Sequence, residues 1–148
     1  MANEPGRRPS LHLFLVPIDD PGERRPRVFN VLRGEASQVR ATPFGDVGTV
    51  FTGQGIELVW VSKQDEPIDE GWFSAASVDL ILVLQGQLKF EFEAPDLPDR
   101  VLSAGEVLVL PGSERCRAYR WPREAREATV FVAAYPAGQD QPAAVHGQ

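Results

Sequence analysis

Apolar residues recur along this chain in short segments separated by turn-forming residues, and almost nowhere at the spacing of an amphipathic helix. The segments are LHLFLV (11–16), RVFNVL (27–32), SQVRAT (37–42), GTVFT (48–52), IELVWVS (56–62), GWFSA (71–75), VDLILVLQ (78–85), QLKFEFE (87–93), RVLSA (100–104), EVLVLP (106–111), RCRAYRW (115–121) and ATVFVAAY (128–135). This pattern predicts about ten or eleven strands and almost no helix, an all-β protein.

Two segments say how the strands are arranged. In 87–93 the residues Leu88, Phe90 and Phe92 alternate with Lys89, Glu91 and Glu93, the mark of an antiparallel strand with one face in the core and one toward solvent. The stretch 79–85 is apolar on both faces, with Ile81 and Val83 in the phase of Asp79, and Leu80, Leu82 and Leu84 in the other. One face fits the interior of a barrel; the other needs cover, from the N-terminal strands or from a second subunit, so a homodimer is expected.

A length of 148 residues is the size of one domain. Thirteen Gly and thirteen Pro suit turns and strand edges better than helix interiors. The tails, 1–10 and 137–148, are polar and carry no apolar period, so the folded domain is expected over 11–136. A net charge of -6 excludes the positive footprint that nucleic acid or anionic lipid requires. The single cysteine, Cys116, rules out an internal disulfide framework, and the first ten residues lack an apolar signal core. No apolar run approaches the roughly 20 residues needed to span a bilayer. A cytoplasmic protein without a membrane or nucleic-acid partner is the expectation.

The stretch from Trp72 to Tyr119 resembles the two motifs of the cupin superfamily. Asp79 followed by LILVLQ and Gly86 matches the close of the first motif, His-x-His, three or four residues, Glu, six residues, Gly. Counting back over a four-residue spacer puts Trp72 and Ser74 at the histidine positions. Gly105-EVLVL-Pro111 matches the opening of the second motif, Cys116 falls at its histidine, and a glycine stands one place early, as Gly112. The resemblance implies a cupin-type double-stranded β-helix, a jelly-roll barrel, with a pocket inside.

Cupin metals are usually held by three histidines and a glutamate, and the matching positions here carry Trp72, Ser74, Asp79 and Cys116. An indole cannot ligate a cation and a serine hydroxyl is a poor ligand for transition metals. The only histidines, His12 and His146, lie far from the motifs. No metal and no cofactor are therefore expected, and the candidate ligand-binding residues are Trp72, Ser74, Asp79, Ile81 and Cys116. Two residues read either way. Asp79 is a strand-end aspartate capping a turn or pairing with an arginine, or a pocket acid or base with a pKa raised by desolvation. Cys116 is a small buried hydrophobe or a nucleophile, and Arg115 and Arg117 lie in the opposite strand phase, where they do not activate it. The arginines from Arg115 to Arg126, interspersed with Glu124 and Glu127, read as a solvated, ion-paired surface.

Three functions compete on these residues. The first is a metal-free cupin enclosing an unidentified small organic molecule. The second is a metal-independent isomerase, epimerase or cyclase with Asp79 as acid or base and Ser74 or Tyr119 as hydrogen-bonding partner. The third is a barrel filled by its own side chains that acts through a dimer surface. The volume and polarity of the cavity separate the first two from the third.

Overall fold

A computed structural model of the chain describes residues 26–137, with 75 and 76 excepted. Nine strands stand among the described residues: β1 (Ser37–Thr42), β2 (Gly45–Gly53), β3 (Ile56–Lys63), β4 (Asp79–Gln85), β5 (Gln87–Phe92), β6 (Arg100–Ser103), β7 (Val107–Leu110), β8 (Cys116–Trp121) and β9 (Thr129–Pro136). They form two antiparallel sheets, one ordered β1-β2-β3-β9-β4-β7 and the other β6-β5-β8. The only helical piece among the described residues is a single 3-10 turn, Val31–Arg33. The result is a jelly-roll sandwich.

Most segments of the hydrophobic pattern become strands, with two differences. Residues 27–32 form no strand: Asn30 caps the 3-10 turn, its side chain accepting from the Arg33 amide, and Gly34 closes it in the left-handed region. Among the described residues 71–74, one bridge forms, Phe73 to Cys116. The expected strand 11–16 lies outside the described residues, as do both histidines and most of the two tails.

Strand phase decides what each residue meets. The inward phases of β3, β4, β5 and β9 supply Val59, Val61, Ile81, Val83, Leu88, Phe90, Phe131 and Ala133, and these pack into one buried cluster with Leu102, Leu110, Cys116 and Ala118. Phe90, Phe131, Ile81, Leu88 and Leu110 are the largest side chains with essentially no exposure. The middle of the sandwich is thus filled with side chains, as small barrels commonly are.

The second apolar face of β4 is covered in part. Leu84, with Leu58, packs beside Trp60 and Val130 under Phe29 and Val31 of the N-terminal segment. Farther along, Leu80 on β4 pairs with Val109 on the edge strand β7, and Leu82 pairs with Val107. Leu80, Val107 and Val109 are exposed, at 43%, 55% and 61%.

Two turns carry the motif glycines. Gly86, between β4 and β5, has φ 71, and a Cβ there would sit 3.2 Å from the Ala128 carbonyl oxygen and from Thr129 Oγ1. In the turn that follows Pro111 in the second motif the left-handed residue is not Gly112 but Ser113, with φ 72. The turn keeps its backbone shape although a Cβ-bearing residue occupies it, at a cost.

Candidate functional site

At one end of the sandwich the inward row turns polar. Glu57 pairs with Tyr135 across β3 and β9, Leu80 pairs with Ala134 across β4 and β9, and Asp79 pairs with Leu110 across β4 and β7. The same row therefore reads Glu57, Tyr135, Asp79, Leu110. From the facing sheet, Cys116 and its register partner Phe92 close over it. Asp79 and Cys116 have no exposure.

This environment sets the protonation of its members. Burial, then the negative charges of Asp79 and Glu114, pushes the Cys116 thiol up to about 12. It is a neutral thiol at physiological pH, without nucleophilic character. Burial also raises the Tyr135 phenol, followed by the charge and hydrogen bond of Glu57 and the charge of Asp79. The hydroxyl is held as a donor.

Of the residues expected at the site, the structure brings together Asp79, Ile81 and Cys116, and it places Trp72 and Ser74 elsewhere. The bridge from Phe73 to Cys116 gives Phe73 the inward phase, and Phe73 packs against the core. Its neighbours then face away. The Trp72 ring lies under the Arg117 guanidinium, 4.5 Å from it, and Ser74 is exposed. The four-residue spacer is the wrong choice; the three-residue spacer, which the motif equally permits, puts Phe73 at the first histidine position. A slip of one residue exchanges the faces of a strand. Tyr119 is also away from Asp79: its hydroxyl donates to Glu91, which takes a second bond from Arg117 Nε at 2.6 Å. Burial raises the Glu91 pKa, but those two hydrogen bonds and the charges of Arg117 and Lys89 outweigh it and hold the carboxyl below its ordinary value.

Beside the polar row the two sheets part to leave a pocket of about 200 Å³. Phe92, Leu97, Leu108 and Leu110 form its apolar wall, and Arg100 and Glu114 supply charge. Two of these residues, Leu110 and Phe92, are the register partners of Asp79 and Cys116.

No protein-family model matches the sequence, and no curated protein does. Solved structures do. A cupin-2 domain from Rhodospirillum rubrum superposes with a TM-score of 0.53 at 18% identity, over 72% of this chain and 70% of its own. A cupin 2 conserved barrel domain protein from Rhodopseudomonas palustris gives 0.55 at 15% identity, over 74% and 79%. The 11S globulin from Wrightia tinctoria gives 0.56 at 17%, over 68% of this chain and 30% of that one. This chain has the cupin fold.

The residues at the cupin metal positions do not fit a metal. The first histidine position holds the Phe73 ring, the glutamate position holds Asp79, and the last histidine position holds a thiol that stays protonated. A thiol must lose its proton to ligate, and burial opposes that loss. Among the described residues, no three His, Cys, Asp or Glu are gathered where they could hold an ion.

Sequence reasoning missed a second polar cluster, at the opposite end of the same cupin barrel. The arginine-rich stretch is only in part a solvated surface. Arg115 pairs with Glu93 at 2.8 Å and Arg117 with Glu91, but Arg120 is buried, 6% exposed, and so is Lys63, at 3%. The signal was in the alternation: Lys63 continues the inward phase of Val59 and Val61, and Arg120 that of Cys116 and Ala118.

Proposed function

We propose that this protein is a metal-free, cupin-fold binder of a small organic molecule, and that the ligand occupies the pocket at the Asp79 end of the barrel. The observation that carries this reading is an open, largely apolar pocket of about 200 Å³ lined by one cation and one carboxylate, beside a core cluster filled by side chains. Recognition pockets combine an apolar wall with a few polar groups that fix orientation. The volume is below the roughly 300 to 1,000 Å³ usual for drug-sized ligands, which favours a small metabolite. Leu110 and Phe92 form the wall next to Asp79 and Cys116, so those two buried groups set the polarity behind the ligand. The 11S globulin that shares the fold over 30% of its own length has an auxin binding site, which supports a small-molecule role in this reading.

A metabolite screen by thermal shift tests the reading, since a ligand that binds only the native state raises its melting temperature. The supporting result is a hit whose shift is lost on Arg100→Ala and on Leu97→Trp, both in the pocket wall. A hit that keeps its full shift in both variants binds elsewhere and overturns the assignment. The second reading, an isomerase, epimerase or cyclase with Asp79 as acid or base, is favoured by one observation: Asp79 is fully buried next to Tyr135, a hydroxyl donor. Its partner would then be Tyr135, in place of Ser74 or Tyr119. Turnover of a bound hit that disappears in Asp79→Asn while binding persists would select that reading.

A further inference from the structure

At the end of the barrel opposite Asp79, the inward phase closes on charge. Three cationic side chains are held there by backbone carbonyls: Lys63 Nζ donates to Phe44 O at 2.8 Å, Arg120 Nη2 to Arg123 O at 2.6 Å, and Arg123 Nη2 to Glu66 O at 2.7 Å. All three line one small cavity of about 10 Å³, together with Phe44 and Glu66. The Arg120 side chain is buried, and its Nε–H finds no acceptor among the described residues. An unmet charged donor in a buried place is costly, and each such group calls for an explanation.

The neighbouring carboxylates are engaged with the backbone. Glu66 accepts from the Gln64 amide, and Asp69 accepts from the Gly71 amide at 2.9 Å. Asp46, buried at the same end of β2, lies in the outward phase, next to the inward Val47. Among the described residues, Lys63, Arg120 and Arg123 against Glu66 and Asp69 give an excess of positive charge around the cavity.

We propose that this cavity binds one monatomic anion, a halide such as chloride, between Lys63, Arg120 and Arg123. The space decides the class of ligand. About 10 Å³ admits one water-sized particle, which favours a single small ion over phosphate, sulfate and carboxylates. The anion accepts from Arg120 Nε and offsets the surplus charge that folding brings together. The inference is independent of the ligand pocket, which lies at the other end of the barrel.

Unfolding of the whole protein in sodium chloride and in sodium gluconate at matched ionic strength tests it, because screening is then equal and only specific binding differs. Above the dissociation constant, each tenfold rise in chloride should raise the folded-to-unfolded ratio about tenfold, and Arg120→Met should abolish the difference between the salts. Should that variant fail to fold, a bromide-soaked crystal of the unaltered protein gives the same decision. An anomalous peak within hydrogen-bonding distance of Arg120 Nε is expected. Superimposable curves in the two salts, or a cavity peak without anomalous signal in bromide, would mean that water fills the cavity and would overturn the proposal.

Discussion

The buried amine of Lys63 makes stability depend on pH in a way that one substitution can isolate. Burial lowers its pKa from the ordinary 10.5 to about 8, with Glu66 and Asp69 pulling it back up and Arg123 pushing it further down. The unfolded chain binds this proton below about 10.5 and the folded chain only below about 8, so between those values unfolding takes up a proton. Stability attributable to Lys63 therefore rises with pH across that window, is complete above 10.5, and is lost as pH falls through 8. At about 1.4 kcal/mol for each pH unit, the drop amounts to about 3 kcal/mol. Other groups titrate in the same range with the opposite sign: Cys116, Tyr119 and Tyr135 all have raised pKa values, and each weakens the fold as the unfolded chain ionises first. Lys63→Met separates the two. In chloride-free buffer the stability of the unaltered protein relative to Lys63→Met should increase by about 3 kcal/mol from pH 7.5 to 10.5, read from denaturant midpoints and slopes at each pH. The loss of the bond to Phe44 O shifts both ends of the comparison equally. A gap that stays constant over this range would show that the amine titrates as a solvated lysine, and the buried placement of Lys63 would be wrong.

Other expectations follow from single residues. Cys116, neutral and without exposure, should resist iodoacetamide at pH 7.5 in native buffer and react within minutes in denaturant, followed by mass spectrometry; rapid native labelling would contradict its burial. Ser113→Gly should stabilise the protein by about 0.5 kcal/mol, because relief of roughly 1 to 2 kcal/mol of left-handed strain exceeds the added freedom of the unfolded chain; a lower denaturant midpoint would place the turn in another conformation. Phe90→Ala, at the centre of the filled interior, should cost about 3 to 5 kcal/mol, and a loss under 1 kcal/mol would indicate an interior already open.

The alternation of residues 87–93 was enough to read an all-β protein, because a period of two is a local property of the backbone and survives whatever packs against it; the barrel was what the resemblance of the glycine and proline spacing to the cupin motifs implied. Segments such as 37–42 and 87–93 became strands almost residue for residue for that reason. Residues 27–32 did not, since Asn30 and Gly34 cap a 3-10 turn; Phe29 and Val31 reach cover without joining a sheet, and Val28 and Leu32 stay exposed. The placement of Trp72 and Ser74 needed the tertiary structure. Two spacers fit the motif equally, they differ by one residue, and only the bridge from Phe73 to Cys116 fixes which face looks inward. The fates of Lys63 and Arg120 were set the same way. Their strand phase was visible in the sequence, but whether an inward lysine or arginine at a strand end escapes to water depends on what closes the barrel there. Phe44, the turn at Arg123 and the backbone of Glu66 close it, and those come from three separate stretches of chain that no local pattern brings together.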